Sequence, residues 1–221
     1  MNLSDRPVWL LPVIAAILAG ALAAWLIVYG PLAHHTPGDE PRASGVRVSG
    51  EAQIGGPFTL TNHLGETVTD EDFKGRPLLI YFGFTYCPDV CPLSLQAMGA
   101  ALDLMEPEEA ARFQSVLITV DPERDTPEAL ADYVSADVFP DNLMGLTGTP
   151  EQIRDVARAY RVYYARVEDE NTIAEYLVDH LSIIFLMDED GRFAEIFPHG
   201  TAPAVIADRL QQFLEENPVQ S

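Results

Sequence analysis

Cysteine is nearly absent from this chain: Cys87 and Cys91 are the only two. A closed structural zinc site needs four protein ligands, and the sequence offers no evident fourth beside them. Positive charge is scarce as well. Thirteen Lys and Arg stand against 34 Asp and Glu, a formal net charge of -21. That balance excludes a nucleic-acid binder and disfavours adhesion to anionic lipid. It suits a basic or metal-bearing protein partner, while most of the carboxylates serve solubility alone. Charge of either sign is missing from residues 8–29. An Arg-rich, Ser-rich presequence is missing too, which argues for a bacterial membrane over an organelle.

The uncharged stretch is long enough to cross roughly 30 Å of hydrocarbon as a helix. Trp9, Trp25 and Tyr29 lie towards its ends, where aromatic rings favour the headgroup region. Ala21-Leu22-Ala23 resembles a signal-peptide cleavage site, so a cleaved leader is the competing reading. The apolar run continues through Trp25 to Tyr29, where a leader turns polar, and an uncleaved anchor is therefore expected. Residues 1–7 then form a short cytoplasmic tail, with Arg6 and the terminal amine marking the inside. Residues 8–29 are the transmembrane anchor, and 30–55 a flexible linker with Pro, Gly, Ser and scattered charge. Residues 56–218 suffice for one exported domain with a sizeable core. The expected setting is a bacterial inner membrane crossed once, with the domain in the periplasm. His34 and His35 fall in the tether, where a mobile pair usually binds nothing specific.

Within the domain, the apolar run 77–84 reads as a buried strand. Residues 57–60 and 66–69 flank Asn62-His63-Leu64-Gly65, a hairpin signal. A helix is expected from the second cysteine to about Met105. Another opens at Asp125-Thr126-Pro127, with Asp125 or Thr126 as cap. Further helices fit 150–160 and 202–217. Strand patterns recur at 115–120, 142–146, 162–167, 175–178, 182–187 and 193–196, the last two joined by the turn Asp188-Glu189-Asp190-Gly191. Strands alternating with helices imply an α/β fold, a mixed sheet covered on both faces. A redox-type cysteine pair after the first central strand makes it thioredoxin-like, with an added N-terminal β-hairpin.

Pro92 constrains the cysteines. Proline lacks the N–H needed deep in a helix, so the helix begins near Cys91 and leaves Cys87 in the preceding loop. The partial positive charge of a helix N-terminus favours thiolate over thiol. Asp89 would raise the sulfurs' pKa if it faced them, and is expected to face solvent as a turn residue. A disulfide, a soft metal, or both alternately would use such a pair. Of the five histidines, His63 lies in the hairpin turn and His199 in another loop. His180 stands at the entry to an apolar strand. In a thioredoxin-like fold that segment packs beside the cysteine loop, but spacing alone makes it a satisfied turn residue more often than a ligand.

Three segments occur in order: Phe82-Gly83-Phe84-Thr85-Tyr86-Cys87-Pro88-Asp89-Val90-Cys91-Pro92, Val120-Asp121-Pro122-Glu123-Arg124-Asp125-Thr126-Pro127-Glu128, and Tyr176-Leu177-Val178-Asp179-His180. Together with Gly55-Gly56-Pro57-Phe58-Thr59-Leu60 they resemble the Sco/SenC family of membrane-anchored copper proteins. The resemblance covers roughly residues 55–214 and extends to the single anchor. It implies a thioredoxin-like fold that binds one copper through Cys87, Cys91 and His180. It also implies a role in assembling the dinuclear copper site of cytochrome c oxidase. The family usually places a small hydroxyl residue after the histidine. Here Leu181 stands there, with Ser182 one later.

Two thiolates and one imidazole suit Cu(I), and hold Cu(II) with water or a carboxylate added. Asp121 is a candidate weak ligand or neighbour of the ligands, at the strand edge where open α/β sheets bind. If the His180 segment is extended, Asp179 points to the opposite face, Ser182 shares the histidine's face, and Leu181 turns into the core. Three function classes stay open. One is a metallochaperone that hands copper to the copper-bearing subunit of the oxidase. Another is a thiol–disulfide oxidoreductase that reduces that subunit's cysteines, with Cys87 and Cys91 as the redox-active pair. The third is a thioredoxin-fold peroxidase or a redox sensor. Dedicated dithiol exchangers more often use CxxC, which argues modestly against the second. Another periplasmic copper chaperone and a thioredoxin-like reductant are further candidate partners.

Overall fold

The chain enters the domain through a hairpin. β1 (Thr59–Asn62) and β2 (Thr67–Thr69) pair antiparallel, and Gly65 supplies the φ of 81° that the turn requires. A 3-10 turn (Asp70–Phe73) leads to β3 (Leu78–Gly83), α1 (Val90–Asp103), the single-turn α2 (Pro107–Ala110) and β4 (Gln114–Thr119). Next come α3 (Pro127–Val134), β5 (Met144–Thr147) and α4 (Pro150–Ala159). β6 (Tyr164–Glu168), β7 (Tyr176–His180), β8 (Ile183–Met187), β9 (Phe193–Pro198) and α5 (Pro203–Glu216) complete the chain. The computed structural model describes residues 18–19, 54–168 and 176–218. The expected tail, and the anchor and linker apart from residues 18–19 and 54–55, lie outside the described residues. Among the described residues, no helix is long and apolar enough to cross a membrane.

Proline sets several helix starts. Pro107, Pro127, Pro150 and Pro203 each open their helix, where the missing N–H is no loss. Thr126, not Asp125, caps α3: its hydroxyl accepts from the Ala129 N–H at 3.2 Å. Thr149 caps α4 in the same way.

β3, β4 and β5 run parallel, and antiparallel strands extend them on both sides in the order β2-β1-β5-β4-β3-β8-β9. Every residue of β3 is buried, and all of β4 after Gln114, as strands covered on two faces must be. On one face Phe82 packs against Tyr160, at the end of α4, with ring centroids 5.4 Å apart. On the other, Cys91 of α1 lies against Gly83, and α1 packs on α5. Helices therefore cover both faces, as the alternating pattern implies.

The segments 162–167 and 175–178 do not join this sheet. β6 and β7 pair antiparallel with each other, from Tyr164↔His180 to Glu168↔Tyr176, and form a separate two-stranded sheet. The reason is visible in β6, whose residues Arg166, Val167 and Glu168 are exposed and offer no face to a core. β7 buries Tyr176 and Val178 beneath it. His180 thus ends a strand of this ribbon and does not open β8.

Candidate metal centre

α1 starts at Val90, so Pro92 occupies its first turn and Cys87 stays in the loop, as the proline predicts. Asp89 is exposed and gives the helix no side-chain cap. The Cys87 sulfur takes part of that role, accepting from the Cys91 N–H at 3.4 Å. Gly83 makes room for the second cysteine. A Cβ there would fall 3.0 Å from Cys91 Sγ and 2.7 Å from the Tyr81 ring. Cys91 is fully buried, Cys87 nearly so, and both thiols are free.

The loop is held from below by Asp125. Its carboxylate accepts from the Thr85 N–H at 3.1 Å, the Thr85 hydroxyl at 2.6 Å and the Thr119 hydroxyl at 2.6 Å. Burial pushes the Asp125 pKa up, against these hydrogen bonds. The residue expected as a possible cap is instead a buried clamp between the cysteine loop and β4.

His180 meets the cysteines from the ribbon. Its Nε2 lies 3.2 Å from Cys91 Sγ, and the Cys87, Cys91 and His180 donor atoms all lie within 4.8 Å of one another. Among the described residues they are the cluster that could hold a metal ion. The Tyr81 and Phe84 rings stand edge-on to the imidazole at 6.1 and 5.8 Å. Nδ1 lies 3.3 Å from the Leu181 carbonyl. A carbonyl only accepts, so this contact can keep a proton on Nδ1 and leave Nε2 for a metal once one binds.

Other expectations about this segment need correction. Leu181 does not turn into the core; it is 41% exposed. Ser182 does not hold the histidine, because its hydroxyl is bonded to Tyr81 OH at 2.7 Å. A backbone carbonyl has taken the place of the hydroxyl neighbour. Asp179 is exposed, as alternation along the strand requires. Asp121 is not in the cluster. It is buried and engaged by Arg124 and by the Tyr176 hydroxyl, which donates to Oδ1 at 2.7 Å. His63 Nδ1 accepts from the Gly145 N–H at 3.1 Å, and His199 Nδ1 bonds Ser94 Oγ at 3.0 Å, so both have structural partners. His34 and His35 lie outside the described residues. Tyr81, Thr85 and Arg124 also take part at the site, although the sequence pattern does not mark them. The last two sit inside the quoted motifs, but spacing along a chain does not assign side-chain contacts.

The two thiols are electrostatically unlike. The hydrogen bond with Cys91 is the main cause that lowers Cys87 to about 4; burial opposes it, while His180 and the N–H groups of Asp89 and Cys91 assist. The same hydrogen bond, then burial and the charge on Cys87, push Cys91 far upward. The two thiols are driven apart by each other, Cys87 towards thiolate and Cys91 towards thiol. The thiolate fraction of Cys87 grows as pH rises through about 4. In the metal-free protein, iodoacetamide should therefore label Cys87 first. Its rate should climb through an inflection near 4 and level off by about pH 6. Timed alkylation with peptide mapping checks this, and a lone inflection at about 8.5, the ordinary thiol value, contradicts it.

Residues 46–215 match the model of the SCO1/SenC family. The chain belongs to that family. It is 46% identical over 176 residues to the human Protein SCO1 homolog, mitochondrial, which covers 76% of this chain and 56% of that protein. The chain therefore spans little more than half the length of its human relative. Protein SenC of Rhodobacter capsulatus is 40% identical over 200 residues, covering 88% of each. Among solved structures, Bradyrhizobium japonicum ScoI with copper bound superposes with a TM-score of 0.65 at 43% identity, covering 73% of this chain and 99% of that one. The mixed sheet with its helices is the thioredoxin-like arrangement of such Sco structures.

Proposed function

We propose that this SCO1/SenC member is a copper metallochaperone for the dinuclear copper site of cytochrome c oxidase, carrying its cargo on Cys87, Cys91 and His180. The observation that supports this reading best is the convergence of two sulfurs and one imidazole nitrogen within 4.8 Å. Two thiolates and a neutral imidazole form a soft three-donor set suited to Cu(I). Cys87 favours the thiolate, Cys91 would release its proton as metal enters, and His180 can offer Nε2 while the Leu181 carbonyl holds Nδ1. A solved relative with copper bound points the same way. Residues 8–29 would anchor the chain in a bacterial inner membrane and 30–55 would tether the domain in the periplasm. The cargo would pass there to the copper-bearing oxidase subunit.

A second reading draws on the unequal thiols. A thiolate at Cys87 can attack a partner's disulfide, and the Cys91 thiol can then resolve the mixed disulfide. The partner leaves with two thiols and this chain with a Cys87–Cys91 disulfide. That activity has no use for His180.

The test is to load the purified full chain with Cu(I) without oxygen. One copper per chain is expected, with two sulfurs and one nitrogen by X-ray absorption. Loaded protein without sulfur scatterers overturns the metal site. Restoration of the oxidase copper centre in cells by the cysteine pair without His180 favours the second reading.

A further inference from the structure

The proposed ligands stand on two different sheets. Cys87 and Cys91 belong to the loop and helix after β3, whereas His180 ends β7 of the separate ribbon. The ribbon makes no strand pairing with the main sheet among the described residues. Something else must fix the histidine over the sulfurs.

Arg124, in the loop between β4 and α3, bridges the two parts. Its guanidinium lies 3.7 Å from the centroid of the Tyr176 ring, on the ribbon, and 4.7 Å from that of Tyr86, next to Cys87. It also lies 5.9 Å from the Phe84 ring, which itself packs on His180. Nη1 donates to the Tyr176 carbonyl at 3.1 Å. Nε pairs with Asp121, which accepts from the Tyr176 hydroxyl as well. Arg166 stacks at 3.4 Å on the Tyr176 ring and is ion-paired to Glu123 at 3.2 Å. Tyr176, the first residue of β7, is thereby gripped on its ring, its hydroxyl and its carbonyl. His180 is four residues further along the same strand, about 13 Å away. A protonated guanidinium offers no lone pair to a metal, so Arg124 acts through the strand.

We propose that Arg124 is a positioning residue of the metal centre: wedged between the cysteine loop and the ribbon, it holds His180 at the distance where the imidazole can share a metal with the two sulfurs. This rests on the copper reading of the site. A planar guanidinium stacks on rings and donates in a fixed fork, which an ammonium cannot do. Arg124→Lys keeps a positive charge beside the buried Asp121 while removing the stack and the fork. The two thiolates should still take Cu(I), because both lie on the main sheet. The imidazole contribution should weaken, and residues that orient a ligand typically change metal affinity about ten- to a hundredfold.

The experiment compares the full chain and its Arg124→Lys variant in two states. Without metal, NMR reads the His180 ring protons, which the edges of Tyr81 and Phe84 shift in the wild type; in the variant they should move towards unshifted values while near-ultraviolet circular dichroism persists. With Cu(II), the thiolate absorption should change and affinity fall about tenfold or more, while Cu(I), which the two thiolates retain in part without the imidazole, should lose less. Unchanged His180 resonances overturn the proposal. So does an equal loss of Cu(I) and Cu(II) binding, which marks a general structural role. If the wild type takes no copper on sulfur, the copper reading fails by itself, and the metal-free resonances still decide whether Arg124 positions His180. Should Arg124→Lys not fold, Tyr86→Leu tests the same wedge from a ring that is 54% exposed, with the same two outcomes.

Discussion

Cys91→Ser is expected to fold and yet to lose tight Cu(I) binding. The side chain is fully buried at the foot of α1, against Gly83. A serine occupies slightly less space there, and its hydroxyl can still donate to Cys87, so the local packing survives. Its oxygen, however, is a hard ligand and a poor donor to a soft cation. Affinity measured by competition with a coloured Cu(I) chelator should drop at least about a thousandfold, ~4 kcal/mol. Cys87→Ser should do the same, because it removes the group that is already thiolate. Either variant binding copper as tightly as the wild type would exclude the two-sulfur site.

His180→Ala should separate the two oxidation states. The imidazole lies at the end of β7, half-buried, with its nearest polar contacts at Cys91 Sγ and the Leu181 carbonyl. Its loss removes one group that favours the Cys87 thiolate, but the larger contribution from Cys91 remains, so the domain should stay folded. The two thiolates can retain some Cu(I), whereas the Cu(II)–thiolate absorption should disappear along with the proposed support of oxidase assembly. Asp179→Asn is the control. That carboxylate is exposed, and strand alternation turns it away from the site, so its replacement should have little effect on either state. Equal damage from both substitutions, with the fold preserved in each, would place the metal elsewhere on the ribbon.

Much of the site's frame was legible because backbone chemistry is local. Pro92 lacks an N–H, so a helix starts around it wherever the chain goes next. Gly65 turns a hairpin because it tolerates positive φ. An uninterrupted apolar run reads as a strand buried on both faces, and β3 is one. The Asp125-Thr126-Pro127 run announced a helix start, but not which residue would cap it. Both side chains can do so, and only the packing of Thr85 and Thr119 draws Asp125 away.

By itself the sequence determined that two thiols flank a helix N-terminus after a central strand, that strands and helices alternate, and that the motifs resemble those of copper proteins. These follow from spacing, period and residue type. Tertiary structure alone decided that His180 Nε2 comes within 3.2 Å of a cysteine 89 residues earlier. It also decided that β6 and β7 leave the main sheet, that Arg124 and Tyr176 engage Asp121, and that the neighbour of His180 Nδ1 is the Leu181 carbonyl. A period of two tells which residues share a face of a strand, but not which strand will pair with it. Contacts between distant segments depend on how all the buried faces are satisfied at once, and no local pattern encodes that.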